Sequence, residues 1–156
     1  MGDVLEFSDQ EKAILRTMQS DAGRSLAQIA QTVGMAQSTV WRKIQEFEGL
    51  GLIDRRVTLL NPKKAGLGLC VLAQIRMRSH TQEAVDGFIA MVRSHPEILE
   101  CHAISGSADY FIKVRVADVE AYENFMSHNL LRSDLVKTVV SNFVLKEIKH
   151  TTELPL

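Results

Sequence analysis

The apolar residues change their period once along this chain, and that change limits what it can fold into. From Ser8 to about Leu50 they recur every three or four residues, on one face of successive helices. After "LLNPKKAGLG", Leu59 to Gly68, they alternate with period two, return to helical spacing, and alternate again. Asn61-Pro62 and the glycines Gly66 and Gly68 read as a turn or linker between the two regimes. A chain of 156 residues has room for two small domains. The expected division is a helical domain over residues 1–60, a linker or hinge over 61–69, and a mixed domain over 70–156.

Within the first regime, "SDQE" (Ser8 to Glu11) is a capping box followed by the apolar stripe Ile14, Leu15 and Met18. "SLAQ" (Ser25 to Gln28) is a second box, opening a short helix that Gly34 should end. The third helix is expected from about Gln37 to Glu48, before "GLG". Three short helices with a glycine turn between the last two make a helix-turn-helix of the winged type. With Val40 as origin of a helical wheel, Ile44 and Phe47 fall beside it. Ser38 and Arg42 then lie on the opposite face, with Gln45 nearby and Thr39 flanking.

A helix that displays Gln37, Ser38, Thr39 and then Arg42 suits a DNA major groove. Hydroxyls and amides reach phosphates or base edges, and an arginine can take guanine in a bidentate contact. Lys43 is positioned for phosphate, and Arg55 and Arg56 could hold the backbone from the flank. The bland alternative is a solvated helix face. Trp41, beside the stripe, reads as a half-buried packing residue, with a base or sugar contact as the alternative.

In the second regime, Val71, Ala73, Ile75 and Met77 mark a strand, and Gln82 to Ser94 a helix ended by His95-Pro96. Ile98 to Ser105 and Tyr110 to Ala117 are strands joined by "GSAD". Asp118 can cap a helix through about Leu131, and Val136 to Lys149 reads as one long final strand. The order β-α-β-β-α-β is that of a ferredoxin-like plait, which makes the chain α+β. The final strand sets Val136, Val140, Val144 and Ile148 on one face and Val139, Phe143 and Leu145 on the other. Apolar residues on both faces of an antiparallel sheet imply that both are covered, so a second copy of the chain is expected to pack sheet on sheet.

Composition narrows the function classes. The net charge is −1, and residues 1–64 hold nine basic side chains against eight acidic, so DNA binding must rest on where charges sit. "MGDVLEFSDQEK" lacks the basic start and apolar centre of a signal peptide, no run is long enough to cross a membrane, and a cytoplasmic location is expected. Cys70 and Cys101 stand far apart without a CxxC, so they read as small buried hydrophobes and no metal or cofactor is expected. The five histidines are scattered, with no triad order and no HExxH.

Four stretches, in this order, are similar to the Lrp/AsnC family, the feast/famine regulators of bacteria and archaea. They are "LAQIAQTVGMAQSTVWRKIQEFEGLGLIDRR", "LLNPKKAGL", "GSADYFIKVRVAD" with "YENF" after it, and "LKEIKHTTELPL". The resemblance implies a DNA-binding helix-turn-helix joined to a plait of the RAM type that dimerises and senses small molecules, often amino acids. It implies homodimers that assemble to tetramers or octamers, with the effector bound between dimers. It also gives an effector role to Gly106, Asp109 and Tyr110 of the "GSADY" loop, and to Ser141 and Asn142 of the last strand. Asp109 would fix an amino group while backbone N–H groups, exposed by the missing side chain of Gly106, hold a carboxylate. The alternative for that loop is a plain hairpin turn in which Asp109 bonds its own backbone.

Two features depart from the family pattern. Ala36 stands where a serine usually caps the third helix, and "RSD" (Arg132 to Asp134) stands where Pro-Gly is frequent. Two rival functions follow from the same sequence. A branch of the superfamily decarboxylates a tetrapyrrole using histidines, for which His102 would be the residue to suspect. A metabolite-sensing module without DNA binding is the other.

Overall fold

The computed structural model describes residues 5–156, which form two compact units. One is Leu60–Ile148; the other takes the described residues up to Leu59 together with Lys149–Leu156. The segment 149–156, expected to continue the plait, therefore belongs with the helices.

In the helical unit α1 spans Asp9–Ser20, α2 Leu26–Val33 and α3 Gln37–Gly49. Both capping boxes form. The Ser8 hydroxyl accepts from the Glu11 N–H while the Glu11 carboxylate accepts from the Ser8 N–H, and Ser25 and Gln28 repeat the exchange. Gly34 ends α2 at φ 68°, a left-handed conformation that glycine adopts without steric cost. At α3 the cap position is Ala36, and no side chain satisfies the first N–H groups. Ile14, Val40, Ile44 and Phe47 close the core, and the Phe7 ring meets Phe47 edge-on at 6.2 Å. Each fully buried aliphatic or aromatic side chain here stabilises the unit by roughly 1.5–3 kcal/mol. Beyond α3, residues 54–60 form no helix and pair with no strand among the described residues.

The plait unit is one antiparallel sheet of order β2-β3-β1-β4, with β1 Leu69–Met77, β2 Ile98–Ala103, β3 Tyr110–Val116 and β4 Val136–Phe143. Helices α4 (Gln82–Ser94) and α5 (Val119–Phe125) lie on one face, the second continued by a π-helical turn over Met126–Leu131. Val71, Ala73, Ile75, Ile112 and Val114 point to that face and pack with Phe88, Tyr122 and Phe125. The "RSD" turn closes without Pro-Gly, because the Ser133 hydroxyl accepts from the Leu135 N–H.

The final strand differs from expectation in two ways. It stops at Phe143, so Val144, Leu145 and Ile148 have no place on its faces. Its pairing with β1 also shifts by one residue between Arg76 and Met77, a bulge. Val136 therefore shares the helix-covered side with Val139, while Val140, opposite Gln74, faces outward and is 55% exposed. A one-residue slip exchanges the faces of a strand. The uncovered sheet face is mixed: Leu72, Phe111 and Val140 beside the Lys113–Glu100 ion pair. Leu145 and Ile148, just beyond β4, are 98% and 82% exposed.

Candidate functional site

On α3, Gln37, Ser38 and Arg42 are exposed and Thr39 is half-buried, with Val40, Ile44 and Phe47 turned into the core. Among the described residues Arg42 makes no hydrogen bond or ion pair. Its cationic neighbours are differently placed. Lys43 Nζ lies 2.7 Å from Glu11 Oε1 and 3.0 Å from Glu46 Oε2. Lys43, expected to contact phosphate, is thus engaged within the protein and ties α3 to the start of α1. Arg56 pairs with Glu48 at 2.7 Å, whereas Arg55 meets only its neighbour Asp54, at 3.5 Å and in full solvent. Exposed pairs of the latter kind hold little energy. Trp41, expected half-buried, is 56% exposed and borders a groove whose walls include Met18 of α1 and Leu26 and Ile29 of α2.

The Lys43 ammonium, and then the Ser8 hydroxyl and N–H, lower the Glu11 carboxyl from 4.5 to about 2. A carboxyl depressed by folding contributes stability that is complete above its unfolded value and is lost as pH falls toward the folded one. The helical unit is therefore expected to lose stability between about pH 4.5 and 2. Glu11→Gln should remove that part of the acid dependence, measured as melting temperature against pH.

In the plait the "GSAD" turn is pinned from β1. The Ser107 carbonyl accepts from Arg76, with Nε at 3.1 Å and Nη2 as a second donor. Asp109 Oδ2 accepts from the Met77 N–H at 2.7 Å, and Oδ1 lies 3.0 Å from His80 Nε2. The Met77 N–H, and then His80, hold the Asp109 carboxyl below its ordinary range. Asp109 thus bonds neither its own backbone nor a free neighbour; it locks the turn to the end of β1. Gly106, at φ 117°, leaves the apex bare. Tyr110 lies beneath the turn, its ring 4.5 Å from Phe88.

The other two expected effector residues part company across β4. Ser141, opposite Ala73, points under the helices, where its hydroxyl is 2.6 Å from the Tyr122 hydroxyl. Asn142 points to the other face, and its Nδ2 donates to the Leu72 carbonyl at 3.3 Å. No hydrogen bond among the described residues joins either one to the turn. Tyr122 is buried, and burial pushes its hydroxyl above the ordinary range. Ser141→Ala should leave that hydroxyl unpaired and cost about 1–3 kcal/mol in urea unfolding, far less in a Tyr122→Phe background.

Arg76 and His80 were not anticipated as part of the site. Arg76 interrupts an apolar strand at an outward position, which was a usable signal; His80 gave none. The suspected His102 is 60% exposed and lies 3.7 Å from Glu100. Cys70 is buried and Cys101 half-buried, with desolvation raising the Cys101 thiol, as for a small hydrophobe rather than a reactive thiolate.

A helix-turn-helix with an outward arginine, and a plait that carries a pinned glycine turn, are the two parts expected of a regulator that binds DNA and a small ligand. Comparison with known proteins agrees. Residues 70–154 match the Lrp/AsnC ligand binding domain, and residues 7–54 match a winged helix-turn-helix DNA-binding domain. The chain is 35% identical to a glutamate uptake regulatory protein of Zymomonas mobilis over 98% of its own length and 93% of the relative's. It superposes on a transcriptional regulator from Neisseria meningitidis, solved as a complex with L-Met, with a TM-score of 0.93 and 31% identity over 96% of this chain and 97% of that one. An AsnC family transcriptional regulator from Agrobacterium tumefaciens gives a TM-score of 0.90 and 36% identity over the same shares. The chain belongs to the Lrp/AsnC family of transcriptional regulators.

Proposed function

We propose that the chain reads duplex DNA through the outward face of α3 and that an amino acid or similar small metabolite modulates it. The observation that carries the DNA half is the contrast along α3: Arg42 is exposed and unengaged among the described residues, while Lys43 and Arg56 are paired. Arg42 is the base reader, Gln37, Ser38 and Thr39 contact phosphate or base edges, and Arg55 holds the flanking backbone. Lys43 and Arg56 would reach phosphate only by leaving their carboxylates.

The effector half has its support in the Gly106–Asp109 turn, rigid on one side and bare on the other. The similarity to a regulator solved with L-Met and to one named for glutamate uptake supports an amino acid as the ligand class. Tyr110 follows the turn directly, and the effector role of Ser141 and Asn142 rests on the family membership alone, their partners being Tyr122 and the Leu72 carbonyl. Exposed Val140, Leu145 and Ile148, with Phe111 and Leu72 on the sheet, support a homodimer, and membership of the Lrp/AsnC family supports its further assembly to a tetramer or octamer. Transcriptional regulators as relatives support a cytoplasmic, non-enzymatic role. No helix among the described residues is long and apolar enough to cross a membrane.

Selection of binding sites from a random duplex library tests the reading. A two-fold symmetric protein should enrich a near-palindrome with half-sites about one helical turn, or a multiple of it, apart. Binding without any enriched sequence would defeat it.

A further inference from the structure

The segment Lys149–Leu156 is fastened to α1 of the helical unit by a set of specific contacts. Arg16 donates to the Leu156 carbonyl from Nε at 2.8 Å and again from Nη2. Gln19 bonds Leu154 in both directions, its Oε1 accepting from the Leu154 N–H at 2.6 Å and its Nε2 donating to the Leu154 carbonyl at 3.3 Å. A glutamine that satisfies both backbone groups of one residue reads an extended peptide as a neighbouring strand would. The Leu156 side chain packs against the core that contains Ile14, Val40 and Phe47. Around it lies a cleft of about 640 Å³ whose walls include Leu15, Met18, Ile53, Val57, Leu154 and Leu156. The matched ligand-binding domain runs to residue 154, yet these residues cluster with the DNA-binding unit.

We infer that the side of α1 bearing Arg16 and Gln19 is a peptide-docking surface of the DNA-binding unit, and that its occupant is this chain's own segment Lys149–Leu156, whose Leu154 and Leu156 form one wall of the cleft left open beside it. Docking there supports the recognition helix through α1. Glu11 of α1 holds Lys43 of α3, and Ile14 and Leu15 share a core with Val40, Ile44 and Phe47. An undocked segment leaves the Leu156 site open and the outer side of α1 unbraced, so fewer molecules present α3 in its binding form. Affinity for DNA falls by that fraction.

The test compares the full chain with one that stops at Ile148, measuring affinity for the DNA selected by the full chain. The shortened chain should bind on the order of tenfold more weakly. Adding the free peptide KHTTELPL in excess should restore binding, and a scrambled peptide of the same composition should not. Arg16→Ala with Gln19→Ala in the full chain should reproduce the loss without shortening anything. Undiminished binding by the shortened chain would overturn the inference. A loss that the peptide fails to restore, with the double variant binding normally, would overturn it equally, since it would mean general damage rather than an undocked segment.

Discussion

Phe47→Ala is expected to cost about 3–5 kcal/mol, enough to remove most of the stability of a unit as small as the helical one. Phe47 is 1% exposed and sits at the end of α3, where it closes the core and meets Phe7 edge-on. The rings of an edge-to-face pair are separated, and a cavity opens beneath the recognition helix. The plait has its own core around Phe88 and Tyr122, so the loss should be confined. A two-step thermal melt is expected, the early transition belonging to the helical unit and the late one unchanged. DNA binding should vanish at temperatures where the plait remains folded. A single transition lowered as a whole would mean that the two units do not melt separately.

Arg42→Ala touches nothing in the core and should leave both transitions alone. Its effect falls on DNA: about 1–3 kcal/mol of specific binding, or roughly five- to 150-fold, with one base position in each half-site relaxed. Lys43→Ala should behave in the opposite manner. Its ammonium is shared between Glu11 and Glu46, which together raise it above the ordinary lysine range. Removing it frees two carboxylates at the edge of the interface and loosens α3 from α1. Stability should fall, while the dependence of binding on salt keeps its slope, since no phosphate contact is lost. Binding measured at several salt concentrations separates the two. A slope reduced by about one in Lys43→Ala would show that this lysine leaves its carboxylates and meets phosphate after all.

The contrast between these neighbouring cations marks what could be read from the sequence. Capping boxes, the Gly34 stop and the wheel of α3 are local, decided by residues three or four apart, and they formed as read. The partner of Lys43 is not local. Glu11 lies 32 residues earlier and is already identified as a capping residue, so nothing in the spacing announces its second role. The same holds for Asp109, whose partners are Met77, the last residue of β1, and His80 just beyond it. In the last strand, period-two counting assumes an uninterrupted ladder. The bulge opposite Arg76 and Met77 adds one residue and exchanges the faces of Val139 and Val140. The segment 149–156 has no period at all, and the contacts that assign it to the helical unit, from Arg16, Gln19 and the core beneath Leu156, are all distant in sequence.

The central claim is that one chain both reads DNA and is tuned by an amino acid at the Gly106–Asp109 turn. Affinity for the selected DNA, titrated with each of the twenty amino acids, tests it most directly when the intact chain is compared with Asp109→Ala. The expected result is that one amino acid, or a few of similar shape, changes the DNA affinity, and that DNA changes the affinity for that amino acid by the same factor. Asp109→Ala should abolish the change. An affinity for DNA that no amino acid alters, or an effect that survives Asp109→Ala, would contradict it.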